Sequence, residues 1–196
     1  MISPALPSSP DDRSHLPGDL SIWIIVLLEL ATFALLFLSY AAARARNLEL
    51  FDASQLTLDR SKGLINTLLL IAGSWCVVRA VQAVGSDARR AGLAWLLAAQ
   101  ACGTAFLVFK LEEYSAKFAA GIDLETNLFY MFYYLLTGFH FLHVLAAIVF
   151  LAFLTFHTWR GDYGAGRLHA LETGATFWHM VDLLWIVLFP LLYLMR

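Results

Sequence analysis

Five stretches of this chain are apolar over about 20 or more residues, and polar segments separate them. A hydrocarbon core about 30 Å thick is crossed by about 20 apolar residues in helical conformation. Because backbone amides in lipid must be satisfied within the spanning element, and no ten-residue alternating pattern indicates a barrel, each stretch is predicted to be an α-helix. The predicted spans lie near residues 20–43, 64–84, 91–111, 127–157 and 170–195. The sequence therefore predicts an all-α integral membrane protein, a bundle of five transmembrane helices.

The segments between the spans predict how the helices are joined. Residues 1–18 hold four of the five prolines with serine and aspartate, which predicts a mobile polar tail and no signal peptide. Residues 44–62 are expected to form a polar link, and Gly85–Asp87 to form a short turn that makes the second and third spans antiparallel. Pro190 is expected to bend or end the last helix.

Composition supports a membrane protein and argues against a nucleic-acid partner. Of the 196 residues, 60% are hydrophobic and 14% are charged, whereas soluble domains have roughly 25% charged residues. The formal charge is −2, and no basic cluster interleaved with aromatic residues indicates nucleic-acid binding. Cys76 and Cys102 lie in different predicted spans and are interpreted as packing residues. Basic residues are divided almost evenly between the two sides, so charge does not decide the orientation.

Ionisable residues within the spans are the candidates for chemistry, because one at the bilayer centre costs on the order of 2.5–3.5 kcal/mol. Glu29 stands alone in the first span. Two readings stay open for it, a proton-handling or lipid-contacting acid and a structural hydrogen bond between helices. Gln100, close to Gly103 and Thr104 in the third span, favours hydrogen bonds between helices.

The last two spans carry the densest set of polar residues. Glu172, His179 and Asp182 follow i, i+7 and i+10 spacing and form one stripe, and His140 and His143 share a face of the fourth span. We predict that these five residues join the two helices in a buried polar network. Proton relay, or ligation of a metal or haem by the two histidines, stays open as an alternative.

A cluster of charged residues ends the third span. Glu112, Glu113 and Lys117 lie beyond the predicted end at residue 111. Since helix ends are commonly solvated, the cluster is expected to face water.

Two sequence runs in the last spans resemble a known family. TGFHFLHV at residues 137–144 and WHMVDLLW at residues 178–185 are similar to TGFHGLHV and WHFVDVVW in subunit III of haem–copper cytochrome oxidases. Asn66-Thr67, Gln100, Glu113-Tyr114 and Glu29 also look like that family, so the resemblance covers about residues 19–196. The five-helix length and the run LETNLFYMFYYLLTG look most similar to the branch formed by the accessory subunits of nitric oxide reductases, which functions in denitrification.

The resemblance implies a non-catalytic subunit of a respiratory complex in a bacterial inner membrane, with a cytoplasmic N-terminus. Such a subunit has no catalytic residue and no haem or copper of its own. It would stabilise a catalytic subunit, of a haem–copper oxidase or a nitric oxide reductase, that holds haem with copper or non-haem iron. It would also contact phospholipid and support proton uptake in electron transport.

The resemblance also implies roles for individual residues. Glu29 corresponds to the family's membrane-embedded, carbodiimide-reactive acid. Five residues correspond to the family's interhelical polar set, namely His140, His143, Glu172, His179 and Asp182. The chain lacks the two N-terminal helices of seven-helix members, which wall one side of a lipid cleft.

Two further hypotheses belong to other classes of protein. An independent proton-coupled transporter would use Glu29 and the stripe on the last span, although no discontinuous helix indicates a central substrate site. A membrane enzyme with histidine ligands would use His140 and His143. Copurification with a haem protein, or metal analysis of the pure chain, separates these hypotheses.

Overall fold

A computed structural model of the chain describes residues 20–164 and 166–195, and these residues fold into helices joined by short turns. The helices are α1 (Leu20–Arg46), α2 (Leu48–Gln55), α3 (Arg60–Gly85), α4 (Arg89–Ala119), α5 (Leu128–Arg160) and α6 (His169–Phe189), followed by a π-helical turn at Pro190–Leu194. No β-strand occurs in these two described ranges, and the predicted all-α fold is confirmed. The predicted tail at residues 1–18 lies outside them.

Five helical segments are long and apolar enough to cross a membrane. They are α1, α3, α4, α5 and the continuous segment formed by α6 with the π-helical turn. α5 contains 33 residues, which at 1.5 Å per residue is about 50 Å, longer than the hydrocarbon core requires. The predicted bundle of five spanning helices is confirmed.

The structure departs from the sequence prediction in the link after α1. The segment expected to be a polar connection contains α2, whose Phe51 is fully buried. The Phe51 ring meets Tyr40 of α1 at 5.3 Å and Phe129 of α5 at 5.6 Å between ring centroids, both edge-on. α2 therefore ties the connection to two of the spans.

The last span ends where proline interrupts it. α6 stops at Phe189, and Pro190 begins the π-helical turn, because proline has no N–H for the helical hydrogen bond. The Leu191 carbonyl in this turn accepts hydrogen bonds from Gln55 Nε2 at 3.2 Å and from the Tyr40 hydroxyl at 3.3 Å. The turn is therefore fastened to α1 and α2.

α6 lies at the centre of the bundle, and α1 lies at its edge. Trp178 of α6 packs where α3 and α4 carry Gly73 and Gly103, and a Cβ atom at either glycine would lie 2.8 Å from the indole. These glycines therefore allow three helices to approach closely. Half of the most apolar stretch of the last span is buried, compared with 17% of that of α1, so α1 is the most loosely packed span.

Candidate functional site

The polar residues predicted to form one network are divided among separate groups in the structure. Glu29 pairs with His143, His179 contacts Ser74 and Asp182, and Gln100 contacts Thr155, whereas His140 and Glu172 make no side-chain hydrogen bond or ion pair within the described ranges. The predicted pairing of the α6 stripe with the two histidines of α5 is therefore corrected.

Glu29 and His143 join α1 to α5. Glu29 Oε2 lies 3.1 Å from His143 Nε2. The other ring nitrogen, Nδ1, lies 2.8 Å from the Phe139 carbonyl, and it carries a hydrogen because a carbonyl can only accept. The two groups carry opposite charges only where His143 is protonated. The contact therefore connects α1 with α5.

His179 joins α6 to α3 and not to α5. Its Nδ1 lies 2.5 Å from the Ser74 hydroxyl, and the same nitrogen lies 3.7 Å from Asp182 Oδ2. The His179 side chain is 39% exposed, so it lies at the outer surface of the bundle. Helical spacing placed His179 and Asp182 on one face correctly, but it did not indicate that His179 contacts α3.

His140 is packed as an aromatic ring. It is fully buried, and neither ring nitrogen has a hydrogen-bond partner among the described residues. Its ring lies 5.0 Å from that of Trp185 and 5.6 Å from that of Phe106. His140 and His143 therefore contact different surroundings. Within the described ranges, no group of three His, Cys, Asp or Glu side chains is close enough to hold a metal ion.

Gln100 makes a contact between helices of the kind its position indicates. Its Nε2 donates to Thr155 Oγ1 at 2.8 Å and to the Leu96 carbonyl of its own helix at 3.2 Å. The bond connects α4 with α5. Glu172 lies in the first turn of α6, is half-buried, and takes no part in this hydrogen bond.

The most deeply buried charged group was not predicted. Lys110 is fully buried in α4, and its ammonium nitrogen lies 2.9 Å from Glu113 Oε2, 3.1 Å from the Tyr133 hydroxyl and 2.8 Å from the Tyr193 hydroxyl. An ammonium group has three N–H donors, and here each meets an oxygen. We call Lys110, Glu113, Tyr133 and Tyr193 the Lys110 cluster.

The Lys110 cluster links three elements of the fold. The Tyr193 hydroxyl, in the π-helical turn, donates to the Glu113 carboxylate, with oxygens at 2.9 and 3.1 Å. Tyr133 belongs to α5. Burying two ions is costly, and their attraction offsets that cost only when the remaining donors and acceptors are satisfied. The cluster meets that condition, so it fixes the register of α4, α5 and the last turn.

The expectation that charged residues at the end of the third span face water is wrong for two of the three. α4 continues to Ala119, and Glu113 and Lys117 are buried while Glu112 is exposed. The physical reason is that tyrosine side chains from α5 and the last turn cover this part of α4. A sequence signal existed, because Lys110, Glu113 and Lys117 are spaced to share one helical face.

The sequence matches known proteins over nearly its whole length. The sequence model of the family described as cytochrome c oxidase subunit III matches residues 21–196. The chain is 30% identical over 188 residues to cytochrome c oxidase subunit 3 of Thermostichus vulcanus, covering 94% of this chain and 92% of that protein. It is 24% identical over 193 residues to cytochrome bo(3) ubiquinol oxidase subunit 3 of Pseudomonas aeruginosa, covering 94% of this chain and 89% of that protein.

A third relative is a longer protein. The chain is 28% identical over 180 residues to the heme-copper oxidase subunit I+III of Aeropyrum pernix, covering 89% of this chain and 22% of that protein. The family match includes all five apolar spans. The chain therefore belongs to the cytochrome c oxidase subunit III family.

Proposed function

We propose that this chain is a non-catalytic accessory subunit of a haem–copper oxidase and packs against the catalytic subunit in a bacterial inner membrane. The observation that carries the proposal is the family match across all five spans. The relative named subunit I+III supports it further, because a single polypeptide of that kind holds the two subunits together. In the proposed complex, haem and copper belong to the partner.

The surface of the bundle supports an assembly role. α1 leaves large apolar side chains uncovered, with Leu27, Leu28, Leu35 and Leu38 each at least 64% exposed. In a membrane such a face is covered by lipid or by helices of another subunit. A span held by few internal contacts suits a position between this bundle and a partner.

Glu29 is proposed to have the proton- or lipid-related role. Its side chain is 28% exposed at the edge of the bundle, and its carboxyl oxygen lies 3.1 Å from His143 Nε2. If a proton held between these two groups passes to a neighbouring group, one negative charge stays on the Glu29 carboxylate, and uptake of another proton restores neutrality. A cytoplasmic N-terminus is part of the same proposal.

The type of catalytic subunit that this chain binds is also part of the proposal. The resemblance in sequence predicts the nitric oxide reductase branch, whereas the relatives reported above are named as cytochrome c or ubiquinol oxidase subunits. An oxidase partner is therefore the first choice, and a nitric oxide reductase partner stays a prediction. The transporter hypothesis gains no support from these relatives.

Affinity purification tests the proposal. The tagged chain, produced in its own host and extracted in a mild detergent, is expected to bring down a haem-containing subunit with a reduced-minus-oxidised absorbance spectrum. Oxygen consumption by the complex would identify an oxidase, and consumption of nitric oxide a reductase. Recovery of the folded chain without haem absorbance, together with proton-driven uptake in vesicles, would overturn the proposal in favour of a transporter.

A further inference from the structure

A cavity of about 240 Å³ opens at one end of the bundle, beside the Lys110 cluster. It lies between the start of α3 at Arg60 and the end of α4 at Ala119. Its polar lining consists of Thr57, Asp59, Lys62, Glu113 and Lys117. Because α3 and α4 are spans, their ends place this cavity at the level of the lipid headgroups.

The acidic groups that line the cavity are already engaged. Asp59 Oδ1 caps α3 by accepting hydrogen bonds from the backbone N–H groups of Ser61 at 2.9 Å and Lys62 at 3.2 Å. The Glu113 carboxylate is bound by Lys110 and by Tyr193. Neither acid forms an ion pair with a lysine that lines the cavity.

The lysines of the lining, in contrast, have no anionic partner within ion-pair distance among the described residues. Lys117 is only 8% exposed, and its ammonium group makes no hydrogen bond or ion pair with any of them. It lies over the rings of Tyr130 at 5.4 Å and Tyr133 at 5.6 Å, which position it but accept none of its N–H donors in a directed hydrogen bond. Lys62, across the cavity, likewise has no side-chain partner in the described ranges.

The Lys117 side chain is largely buried, its ammonium group lines the cavity without an acceptor among the described residues, and the three N–H donors of that group match the oxygens of an anion. We propose that this cavity binds a phosphate group through the ammonium groups of Lys117 and Lys62. Lysine commonly binds phosphate as a point charge. The phosphate can come from an anionic phospholipid headgroup or from free phosphate, and the position at the membrane surface favours the headgroup. The proposal holds whichever catalytic partner the chain has.

Thermal unfolding of the delipidated, full-length chain in detergent, with any copurifying subunits retained, tests the site. Phosphatidylglycerol is expected to raise the melting temperature progressively as its concentration exceeds the dissociation constant, and phosphatidylcholine much less. Inorganic phosphate is titrated in parallel. Stabilisation by the lipid alone identifies a headgroup site, and stabilisation by both probes identifies a phosphate site open to water. Equal stabilisation by phosphatidylglycerol and phosphatidylcholine, with no response to phosphate, overturns the proposal.

Matched variants locate the binding. Lys117→Met keeps the alkyl chain and is expected to weaken phosphatidylglycerol binding about tenfold, because it removes one charge-assisted hydrogen bond. Lys62→Gln, on the more exposed side of the cavity, is also expected to weaken phosphatidylglycerol binding. This variant tests the site if Lys117→Met does not fold. Arg60→Gln is the control, since Arg60 is an exposed cation at the same end but outside the cavity. Wild-type affinity in both lysine variants, or an equal loss in Arg60→Gln, refutes the site. Loss of oxidase copurification without loss of lipid binding would concern the proposed function alone.

Discussion

The Lys110 cluster and the Glu29–His143 pair are two polar contacts between spans, and they differ in how completely they are enclosed. The Lys110 side chain is fully buried and its donors are all used. The Glu29 side chain is 28% exposed, and it forms a single contact with its histidine. An enclosed and saturated ion pair serves the structure, because removing one member strands the other. The partly exposed Glu29–His143 pair suits the lipid- or proton-related role proposed above.

The largest loss of stability is expected from a variant that breaks the Lys110 cluster. Glu113→Ala leaves the Lys110 ammonium group buried with only the tyrosine hydroxyls for partners, and it should destabilise the bundle by about 3–5 kcal/mol. The measurement is unfolding of the purified chain in mixed detergent micelles with increasing dodecyl sulfate, followed by tryptophan fluorescence. Glu112→Ala, one residue away and exposed, is the control and should change stability by less than about 0.5 kcal/mol.

A compensating double variant sharpens this result. Lys110→Met with Glu113→Leu removes both charges together and should recover most of the stability that Glu113→Ala loses, since apolar groups of similar volume often replace a buried ion pair well. If the double variant were as unstable as Glu113→Ala, the cause would be packing or the two tyrosine hydroxyls left without partners, and not the unpaired charge.

The next largest loss of stability is expected from a variant that removes one hydroxyl from the Lys110 cluster. Tyr193→Phe deletes the group that accepts from Lys110 and donates to Glu113, and it should cost about 1–3 kcal/mol in the same unfolding assay. Tyr163→Phe is the matched control, because the Tyr163 hydroxyl, in the turn before α6, makes no hydrogen bond with the described residues. Equal losses in the two variants would show that the last turn contributes no specific bond.

The smallest effect concerns the half-open pair. Glu29→Gln should change stability by less than about 1 kcal/mol, because the amide N–H can donate to His143 Nε2 as the protonated acid does. Glu29→Leu, which leaves that nitrogen without a partner, should be more damaging, by about 1–3 kcal/mol. If Glu29→Gln were more destabilising than Glu113→Ala, the assignment of structural and functional roles to the two groups would be reversed.

Sequence alone predicted the number of spans, because lipid thickness sets the apolar length that each one requires. It did not predict α2, since the run LELFDASQ has only eight residues and its polar residues are those of an ordinary connection. Phe51 is the α2 residue whose burial holds the segment in place, but that burial depends on Tyr40 and Phe129 from two other helices. Tertiary packing, and not the local sequence pattern, therefore determines the conformation of this segment.

The polar contacts were harder to predict than the spans. Spacing along one helix shows which residues share a face, as for His140 and His143, but it does not show which helix that face meets. His140 lies against Trp185, whereas His143 reaches Glu29 of α1. Lys110 was missed for a related reason, since the hydroxyl that completes its bonding comes from the last turn.

The position of that hydroxyl has a consequence for how the bundle is made. Lys110 precedes Tyr193 by 83 residues and Tyr133 by 23. Because a chain emerges from its N-terminal side first, the ion pair of α4 enters the membrane before its final hydrogen-bond donor has been synthesised. Until the last helix docks, the Lys110 ammonium group has the Tyr133 hydroxyl and the rings of Tyr114 and Tyr133 around it. Docking of the π-helical turn therefore completes the hydrogen bonding of this buried ion pair.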